Sequence, residues 1–234
     1  MMFGRRRSGE RRREAALADV PPGPLRDFLS TPFPAPGSPV GEVPLLAVDV
    51  ETTGLDTERD RVLAVGWVPV DGSTIDLSGA QRRTLGMRME VGESATVHGI
   101  TDDALAGGAV PRAVLEELLE ALAGRVLLAH HAAIEIGFIS AACQRVYGAP
   151  LVVSSVDTLA LQRRVVTEGI DALAEPLPGT LRLWAARERY GLPRYRAHEP
   201  LTDALACAEL YLAQVAELSL RSSRPLTLKG IQRS

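Results

Sequence analysis

Apolar residues form two kinds of pattern along most of this chain, short continuous runs and a helical repeat. Runs of strand length predict β-strands from Leu45 to Glu51, Arg61 to Val70 and Arg125 to His130, with two more from Thr84 to Glu90 and Leu151 to Val156. Elsewhere the apolar residues recur every three or four positions, which indicates amphipathic helices. The predicted helices cover residues 111–123, 132–146, 157–166, 180–190 and 201–220.

The order of these elements indicates the fold class. Three strands come first, and strands and helices then alternate, which predicts a single α/β domain with a mixed sheet. The segment Leu45 to Val48 contains only apolar residues, so we expect this strand to be buried on both faces. No stretch reaches the ~18 uninterrupted apolar residues of a membrane-spanning helix, so no membrane association is expected.

The first 43 residues differ in composition from the rest. Six arginines and Glu10 give residues 1–13 a local charge of +5, which leaves −8 for the remainder of a chain whose net charge is −3. Eight of the sixteen prolines lie between Pro21 and Pro44, and proline disfavours the interior of helices and sheets. The predicted division is a flexible arm over 1–43, a domain over 44–220 and a loose tail over 221–234.

Composition narrows the class of protein further. With 46% hydrophobic and 24% charged residues, the chain is neither a largely disordered protein nor a disulfide scaffold. Cys143 and Cys207 lie in apolar helical segments, which predicts buried side chains. The arginine-rich start lacks the apolar region of about 7–15 residues found in export signals, so we expect a cytoplasmic protein. Because the chain after residue 13 is acidic, it would need bound cations to accept a phosphate-bearing substrate.

Candidate chemistry begins where the first strand ends. Asp49 and Glu51 are two residues apart, so they point to one face of the strand. Two carboxylates this close repel each other unless a cation neutralises them, although a strand that emerges into solvent would also explain them. The following Thr52-Thr53-Gly54 turns the chain and brings backbone N–H groups beside the acids.

Two further clusters contain ionisable groups. His198 lies in a loop five residues before Asp203, and histidine can take a proton from water near neutral pH. Asp203 also lies in the first turn of the last helix, where an acid suits the helix dipole. Glu135 lies about one turn into the helix after His130 and His131, a position where a solvent-facing acid is common. No ligand spacing beside the two histidines supports a zinc site.

Together these residues resemble the DEDD-type 3′–5′ exonucleases of the DnaQ-like family, which includes the proofreading epsilon subunits of bacterial DNA polymerase III. The resemblance covers Pro44 to Leu212. A histidine five residues before the final aspartate places the chain in the histidine branch of the family. The motifs that carry the resemblance are LLAVDVETTGLD from Leu45, VHGIT from Val97, AHHAAIEIGFI from Ala129, VDTLAL from Val156 and HEPLTDALACAELYL from His198.

The resemblance implies an RNase H-like fold, with a mixed five-stranded sheet flanked by helices, and two bound Mg²⁺ or Mn²⁺ ions. Asp49, Glu51 and Asp203 would hold one ion, and Asp49 would bridge to the second. His198 would be the general base. Glu135 takes the place of the family's aspartate near the second ion and is one methylene longer. The residues implied to contact the terminal nucleotide are Thr52, Thr53, Gly54, Leu55, Glu93 and His98.

The predicted function is therefore a metal-dependent 3′–5′ exonuclease that hydrolyses single-stranded DNA to nucleoside 5′-monophosphates. One alternative is an RNA-trimming exoribonuclease of the same family. Another is a catalytically weakened nucleic-acid-binding or scaffold protein, for which the substitution at Glu135 is the main support. The expected partners are the 3′ end of a single-stranded nucleic acid and a polymerase or other DNA-processing protein.

Overall fold

The computed structural model describes residues 6–86, 105–168 and 175–232. The strands are β1 (Pro44–Thr52), β2 (Val62–Asp71), β3 (Thr74–Ile75), β4 (Gln81–Thr84), β5 (Val126–Ala129) and β6 (Ser155–Asp157). The helices are α1 (Arg6–Asp19), α2 (Pro24–Ser30), α3 (Pro111–Leu122), α4 (Ala133–Tyr147), α5 (Thr158–Thr167), α6 (Leu183–Arg189), α7 (Pro200–Arg221) and α8 (Leu228–Ile231).

The strands form one mixed sheet in the order β3-β2-β1-β5-β6, with β4 also paired to β2. β1 is antiparallel to β2 and parallel to β5, and β5 is parallel to β6. β3 and β4 pair with different parts of β2, so they share the outer position of a sheet five strands wide. The predicted α/β fold with a mixed five-stranded sheet is therefore confirmed.

Alternation along β1 divides the apolar core between the two faces of the sheet. Leu45 and Ala47 face one cluster that includes residues of α5 and α7. Leu46 and Val48 face a second cluster with residues of α2, α3 and α4. Because side chains alternate along a strand, Asp49 continues the face that is covered by α7.

The three parallel strands bring their carboxyl ends to one edge of the sheet. β1 ends in the acidic segment, β5 leads into His130 and α4, and β6 ends at Asp157. In sheets of this kind, side chains that follow different strands meet at this edge. The edge is therefore where the chemistry-bearing residues can converge.

The N-terminal segment corrects one expectation, because it contains two helices instead of an extended arm. Pro24 is the first residue of α2, a position where the missing N–H costs no hydrogen bond. Leu25, Phe28 and Leu29 form a single-turn apolar stripe and are buried against the core that includes α3. The Arg13 guanidinium of α1 donates to the Leu29 carbonyl oxygen and ties the two helices together.

The C-terminal segment was likewise expected to be loose, yet it is ordered against the chain that precedes β1. Val40 N–H donates to the Leu226 carbonyl at 3.1 Å, and Leu228 N–H donates to the Ser38 carbonyl at 3.0 Å. Leu228 and Ile231 of α8 are buried. The expectation failed because these two apolar residues gain a partner only in the fold. The domain boundaries at residues 44 and 220 stay a prediction.

Two predicted strands are displaced. The strand predicted from Leu151 to Val156 is observed as β6, which covers only Ser155–Asp157. The third strand was expected from Thr84 to Glu90, whereas β4 begins at Gln81 and ends at Thr84. It is half-exposed and polar, so apolar periodicity gave little signal for it. Residues 87–90 lie outside the described residues.

Cys143 and Cys207 are both buried thiols, as predicted. Among the described helices, none has the length and apolar character to cross a membrane.

Candidate active site

Asp49 and Glu51 lie near the end of β1, where pairing with β2 becomes irregular. Asp49 is paired with Gly66, and the register shifts between Glu51 and Thr52. Glu51 is only 8% exposed. The alternative of two surface acids on a strand that emerges into solvent is therefore wrong for Glu51, because its side chain remains inside the protein.

Gly66 allows α7 to pass close to the sheet at this point. A Cβ atom on Gly66 would lie 2.2 Å from the Leu201 nitrogen and 2.3 Å from the Pro200 carbonyl carbon. No side chain fits into that space, so the first turn of α7 rests directly on the glycine. This close approach carries Asp203 toward the carboxylates of β1.

His198 completes a cluster with two of these carboxylates. One ligand atom each from Glu51, His198 and Asp203 lie within 4.8 Å of one another. The His198 backbone N–H donates to Asp203 Oδ2 at 2.7 Å, and His198 has a left-handed φ of 65°. The Asp203 carboxylate therefore holds the loop that contains His198, through the backbone N–H of His198.

Glu199 fixes the start of α7 beside this cluster. Its carboxylate accepts hydrogen bonds from the N–H of Thr202 at 2.7 Å and from the hydroxyl of Thr202 at 2.6 Å. Arg82 of β4 forms an ion pair with the same carboxylate at 2.7 Å. The cap satisfies backbone N–H groups that the helix leaves free at its first turn.

Glu135 reaches the site from the first turn of α4. It is 4% exposed, and its Oε2 atom is buried with no hydrogen-bond partner among the described residues. Its charge contributes to raising the pKa of Asp49, which places the two carboxylates in the same environment. A buried, unpartnered carboxylate oxygen is costly without a ligand, so this atom is available to a cation.

The four carboxylates have raised pKa values, and burial is the largest cause in each case. The pKa of Glu51 is raised to about 7, with Asp203 and Glu199 as further causes, and that of Glu135 to about 8. The pKa values of Asp49 and Asp203 are also raised. Such a cluster favours protons or cations, and its hard oxygen donors suit Mg²⁺ or Mn²⁺.

His130 does not join this cluster. Its Nδ1 lies 2.9 Å from Thr158 Oγ1 and its Nε2 lies 2.9 Å from the Leu181 carbonyl oxygen. Burial lowers the pKa of His130 to about 4, so the ring is neutral and Nε2–H donates to the carbonyl. Both ring nitrogens therefore have protein partners, and His130 links β5 to the segment before α6.

Asp157 is a residue of this edge that sequence reasoning did not single out. Its Oδ1 caps α5 by accepting from Leu159 N–H at 2.9 Å. The same atom accepts from the backbone N–H of His131, also at 2.9 Å. The cap could have been predicted, because an aspartate directly before a helical segment is a typical N-cap. The bond to His131 could not, because it joins residues 26 positions apart.

The turn after β1 is held by its own hydrogen bonds. Thr53 Oγ1 donates to Asp60 Oδ1 at 2.9 Å, and Thr52 Oγ1 donates to the Gly54 carbonyl at 2.6 Å. Leu55 is 78% exposed at the tip of this turn. The turn therefore presents an apolar side chain to solvent next to the acidic site. Two other expected nucleotide contacts, Glu93 and His98, lie outside the described residues.

Comparison with known proteins identifies the family. Residues 46–211 match the RNase T family of exonucleases. The chain is 28% identical over 178 residues to the DNA polymerase III subunit epsilon of Treponema pallidum, covering 74% of this chain and 77% of the relative. It is 27% identical over 183 residues to a PolC-type DNA polymerase III of Staphylococcus haemolyticus, covering 76% of this chain. The match spans only 12% of that relative's length.

A solved structure shares the fold. Escherichia coli exonuclease I in complex with a dT13 oligonucleotide aligns with a TM-score of 0.66 and 14% identity, over 77% of this chain and 42% of the other. The family match over residues 46–211 includes every element that contributes a residue to the candidate site, from β1 to α7. The chain therefore belongs to the RNase T exonuclease family, which confirms the predicted family and its enzyme class, the 3′–5′ exonucleases.

Proposed function

We propose that this protein is a metal-dependent exonuclease that removes nucleoside 5′-monophosphates from the 3′ end of single-stranded DNA. The observation that carries the proposal is the convergence of Asp49, Glu51, Glu135 and Asp203 with His198 at one edge of the sheet. Exonucleases of this family use divalent metal ions, and the unpartnered Glu135 Oε2 supports a cation here.

Each carboxylate has a separate place in the proposed site. Asp49, Glu51 and Asp203 would hold one cation, and Asp49 together with Glu135 would hold the second. When bound, two such ions supply the positive charge that activates the attacking water and stabilises the leaving 3′ oxygen. Without that charge, four carboxylates would repel a phosphodiester substrate.

His198 would act as the general base. Its side chain is exposed, so water and a terminal nucleotide can reach it, while one ring nitrogen belongs to the cluster with Glu51 and Asp203. A histidine in this position can remove a proton from the attacking water near neutral pH. The hydrogen bond from its backbone N–H to Asp203 orients the residue toward the site.

The turn after β1 would receive the terminal nucleotide. Leu55 offers an exposed apolar surface on which a base can lie, and the hydrogen bonds of Thr52 and Thr53 hold the turn in shape. Because the turn begins one residue after Glu51, a nucleotide on Leu55 would present its phosphate to the carboxylates. Thr52, Thr53, Gly54 and Leu55, together with Glu93 and His98, are the residues that we propose contact it.

Single-stranded DNA is the preferred substrate in this proposal because the named relatives belong to DNA polymerase III and the structural neighbour holds a DNA oligonucleotide. The same relatives support a polymerase as a protein partner and a cytoplasmic location. RNA is the other substrate to test, because an RNA-trimming exoribonuclease of the same family is the alternative that the sequence leaves open.

The deciding experiment compares 5′-labelled single-stranded DNA and RNA of the same sequence, with Mg²⁺, with Mn²⁺ and with EDTA. We expect a metal-dependent ladder that shortens from the 3′ end, faster on DNA, and release of nucleoside 5′-monophosphates. Faster shortening of the RNA would assign the exoribonuclease alternative. No shortening of either polymer by folded, metal-loaded protein would contradict the proposal and favour a nucleic-acid-binding role.

A further inference from the structure

We propose that Arg187 is a positioning residue for His198, which it holds in place through the loop between α6 and α7. The proposal rests on the proposed function, in which His198 is the general base. Among the described residues, the Arg187 side chain has no hydrogen bond or ion pair with His198 or with the four carboxylates of the site. It joins α6, the loop and α7 through one buried guanidinium, and the loop that it anchors ends at His198.

The guanidinium of Arg187 is almost fully enclosed, with the residue 4% exposed. Its Nη1 donates to the Ala206 carbonyl oxygen of α7 at 2.6 Å. Its Nη2 donates to the Pro193 carbonyl oxygen of the loop at 2.8 Å and to Glu209 Oε2 of α7 at 2.7 Å. One side chain therefore connects a loop carbonyl to two points on the helix that carries Asp203.

Tyr195 adds a second attachment between the loop and the same group. Its ring lies over the Arg187 guanidinium, with the guanidinium carbon 4.7 Å from the ring centroid. Its hydroxyl donates to Glu209 Oε1 at 2.8 Å. Arg187, Tyr195 and Glu209, which we call the loop clamp, hold the loop at Pro193 and Tyr195, five and three residues before His198.

The loop needs such an attachment because it has few others. Residues 192–196 have no regular secondary structure and are mostly exposed. His198 itself adopts φ 65°, a left-handed conformation that non-glycine residues keep only when their surroundings enforce it. On the C-terminal side, Glu199 and its ion pair with Arg82 fix the chain. On the N-terminal side, the loop clamp has that role.

Arginine suits this position better than lysine. A planar guanidinium has five N–H groups in a fixed arrangement, so it can serve several acceptors at once and stack on an aromatic ring. Arg187 uses it for two backbone carbonyls, one carboxylate and the Tyr195 ring. Lysine would keep the charge but could not make these contacts together, so we expect Arg187→Lys to behave like a loss of the clamp.

The first arm of the test measures order in the loop, without metal or substrate. Hydrogen–deuterium exchange over residues 191–199 is compared between the wild type and Arg187→Met. Because the substitution leaves Glu209 without its cation, the pair Arg187→Met with Glu209→Gln is measured beside it. The matched control is Arg189→Met, which removes another ion pair between α6 and α7, with Glu217. Among the described residues, the Arg189 side chain has no hydrogen bond or ion pair with residues 191–199.

We expect faster exchange over 191–199 in the two Arg187 variants and unchanged exchange in the control. If the variants fold poorly, Tyr195→Ala tests the same clamp from the exposed loop and leaves the buried charge pair in place. Exchange that stays as slow as in the wild type would overturn the proposal, since the loop would then not depend on the clamp.

The second arm is a double-mutant cycle with His198→Ala, measured as kcat, KM and Mn²⁺ affinity on single-stranded DNA. Arg187→Met should lower kcat by about 10-fold to 10²-fold, since misplacement of a catalytic group by about 1 Å can cost this much. KM should not change, and Mn²⁺ affinity should not fall, because the positive charge that is lost acts on Asp203 and opposes a bound cation there. In the His198→Ala background, Arg187→Met should have no further effect on kcat, because the group that it positions is gone.

The two proposals fail in different ways. An equal loss of kcat in both backgrounds would overturn the role of Arg187 while leaving His198 as the general base. A His198→Ala variant with the full wild-type rate would overturn the general base itself, and with it the catalytic consequence of the clamp. In that case the exchange arm would still decide whether Arg187 orders the loop.

Discussion

The single residues of the candidate site differ in how their charge is balanced. Asp49 lies opposite Gly66, and its pKa is raised by burial and by the charges of Glu135, Asp203 and Glu51. Glu135 has a buried oxygen with no partner among the described residues. Removing one carboxylate therefore removes repulsion from the protein and a ligand from the proposed metals.

This balance predicts the effect of Asp49→Asn. The variant should lose at least ~10²-fold in rate, since a metal ligand contributes several kcal/mol to the transition state. Its metal-free thermal stability should equal or exceed that of the wild type, because one buried charge is gone. Asp203→Asn should show the same loss of rate and the same unchanged or higher metal-free stability. Nuclease assays and thermal melts measure both effects, with Asp27→Asn on α2 as the control. Full activity in Asp49→Asn would contradict the proposed site.

Glu135 permits a graded test, because its side chain is longer than the family's aspartate. Glu135→Asp should preserve or raise the rate, since it restores the shorter acid. Glu135→Ala should lower the rate by about 10²-fold, as expected when a charge is lost or misplaced in an active site. Rates at saturating Mn²⁺ provide the comparison. An Ala variant with the wild-type rate would show that the position takes no part in catalysis.

His198 is tested separately from the carboxylates. His198→Ala should reduce the rate near neutral pH by about 10²-fold to 10⁴-fold, the range of general base catalysis. Mn²⁺ affinity, measured by titration calorimetry, should remain close to the wild-type value because three carboxylates still hold the ion. An unchanged rate would exclude the general-base role.

At the scale of elements, the site depends on how closely α7 approaches the sheet. Gly66 is the point of contact, since a Cβ atom there would overlap the backbone of Pro200 and Leu201. Alanine at this position must push the start of α7 away from β2, and Asp203 moves with it. The close approach of the two elements, together with the ion pair between Arg82 of β4 and Glu199, thus determines where this carboxylate lies.

Gly66→Ala should therefore affect both stability and activity. We expect a loss of about 1–3 kcal/mol in the free energy of unfolding, as for an overpacked core, and a fall in rate of about 10²-fold from the displaced carboxylate. Gly37→Ala is the matched control, because no atom lies within 4 Å of its added Cβ. Urea unfolding and nuclease assays give the two values. Wild-type behaviour of Gly66→Ala would show that α7 can retreat without cost.

The elements themselves were largely predictable from the sequence, for physical reasons. Helices α3, α4, α5 and α7 have long apolar stripes, and the observed bounds differ from the predicted ones by one residue at most ends. α2 was missed because its stripe, Leu25, Phe28 and Leu29, is one turn long and lies among prolines. The roles of Arg187 and Asp157 were missed because Ala206 and His131, their partners 19 and 26 positions away, are brought to them only by the fold.

At the scale of the whole molecule, the carboxylate cluster links stability to pH and to metal. The folded protein holds protons on Glu51 and Glu135 up to pKa values of about 7 and about 8, whereas the unfolded chain releases them near 4.5. Stability from these groups is present at low pH and is lost as the pH rises through the folded pKa values. Buried His130 acts in the opposite direction, but only below its unfolded pKa of 6.5.

The metal-free protein should therefore melt at progressively lower temperature as the pH rises from about 6.5 to about 8. Mg²⁺ or Mn²⁺ should raise the melting temperature, and by more at the higher pH, because cations bind the deprotonated carboxylates of the folded state. Thermal melts with EDTA or metal test this. In the variant Glu51→Gln with Glu135→Gln the slope should flatten. A metal-free slope of the opposite sign would contradict the assignment.

The contact between the two ends of the fold has a mechanical consequence. The segment before β1 and the segment after α7 are joined by an antiparallel bridge between Pro39 and Thr227, with hydrogen bonds on either side. Because the bridge is antiparallel, the chain before Pro39 and the chain after Thr227 leave it in the same direction. Tension between these two parts of the chain would therefore load the hydrogen bonds of the bridge one after another. Force applied through these segments would therefore have to break the bridge and pull the buried residues of α8 from the core before it reached β1 and α7 and the carboxylates that they carry.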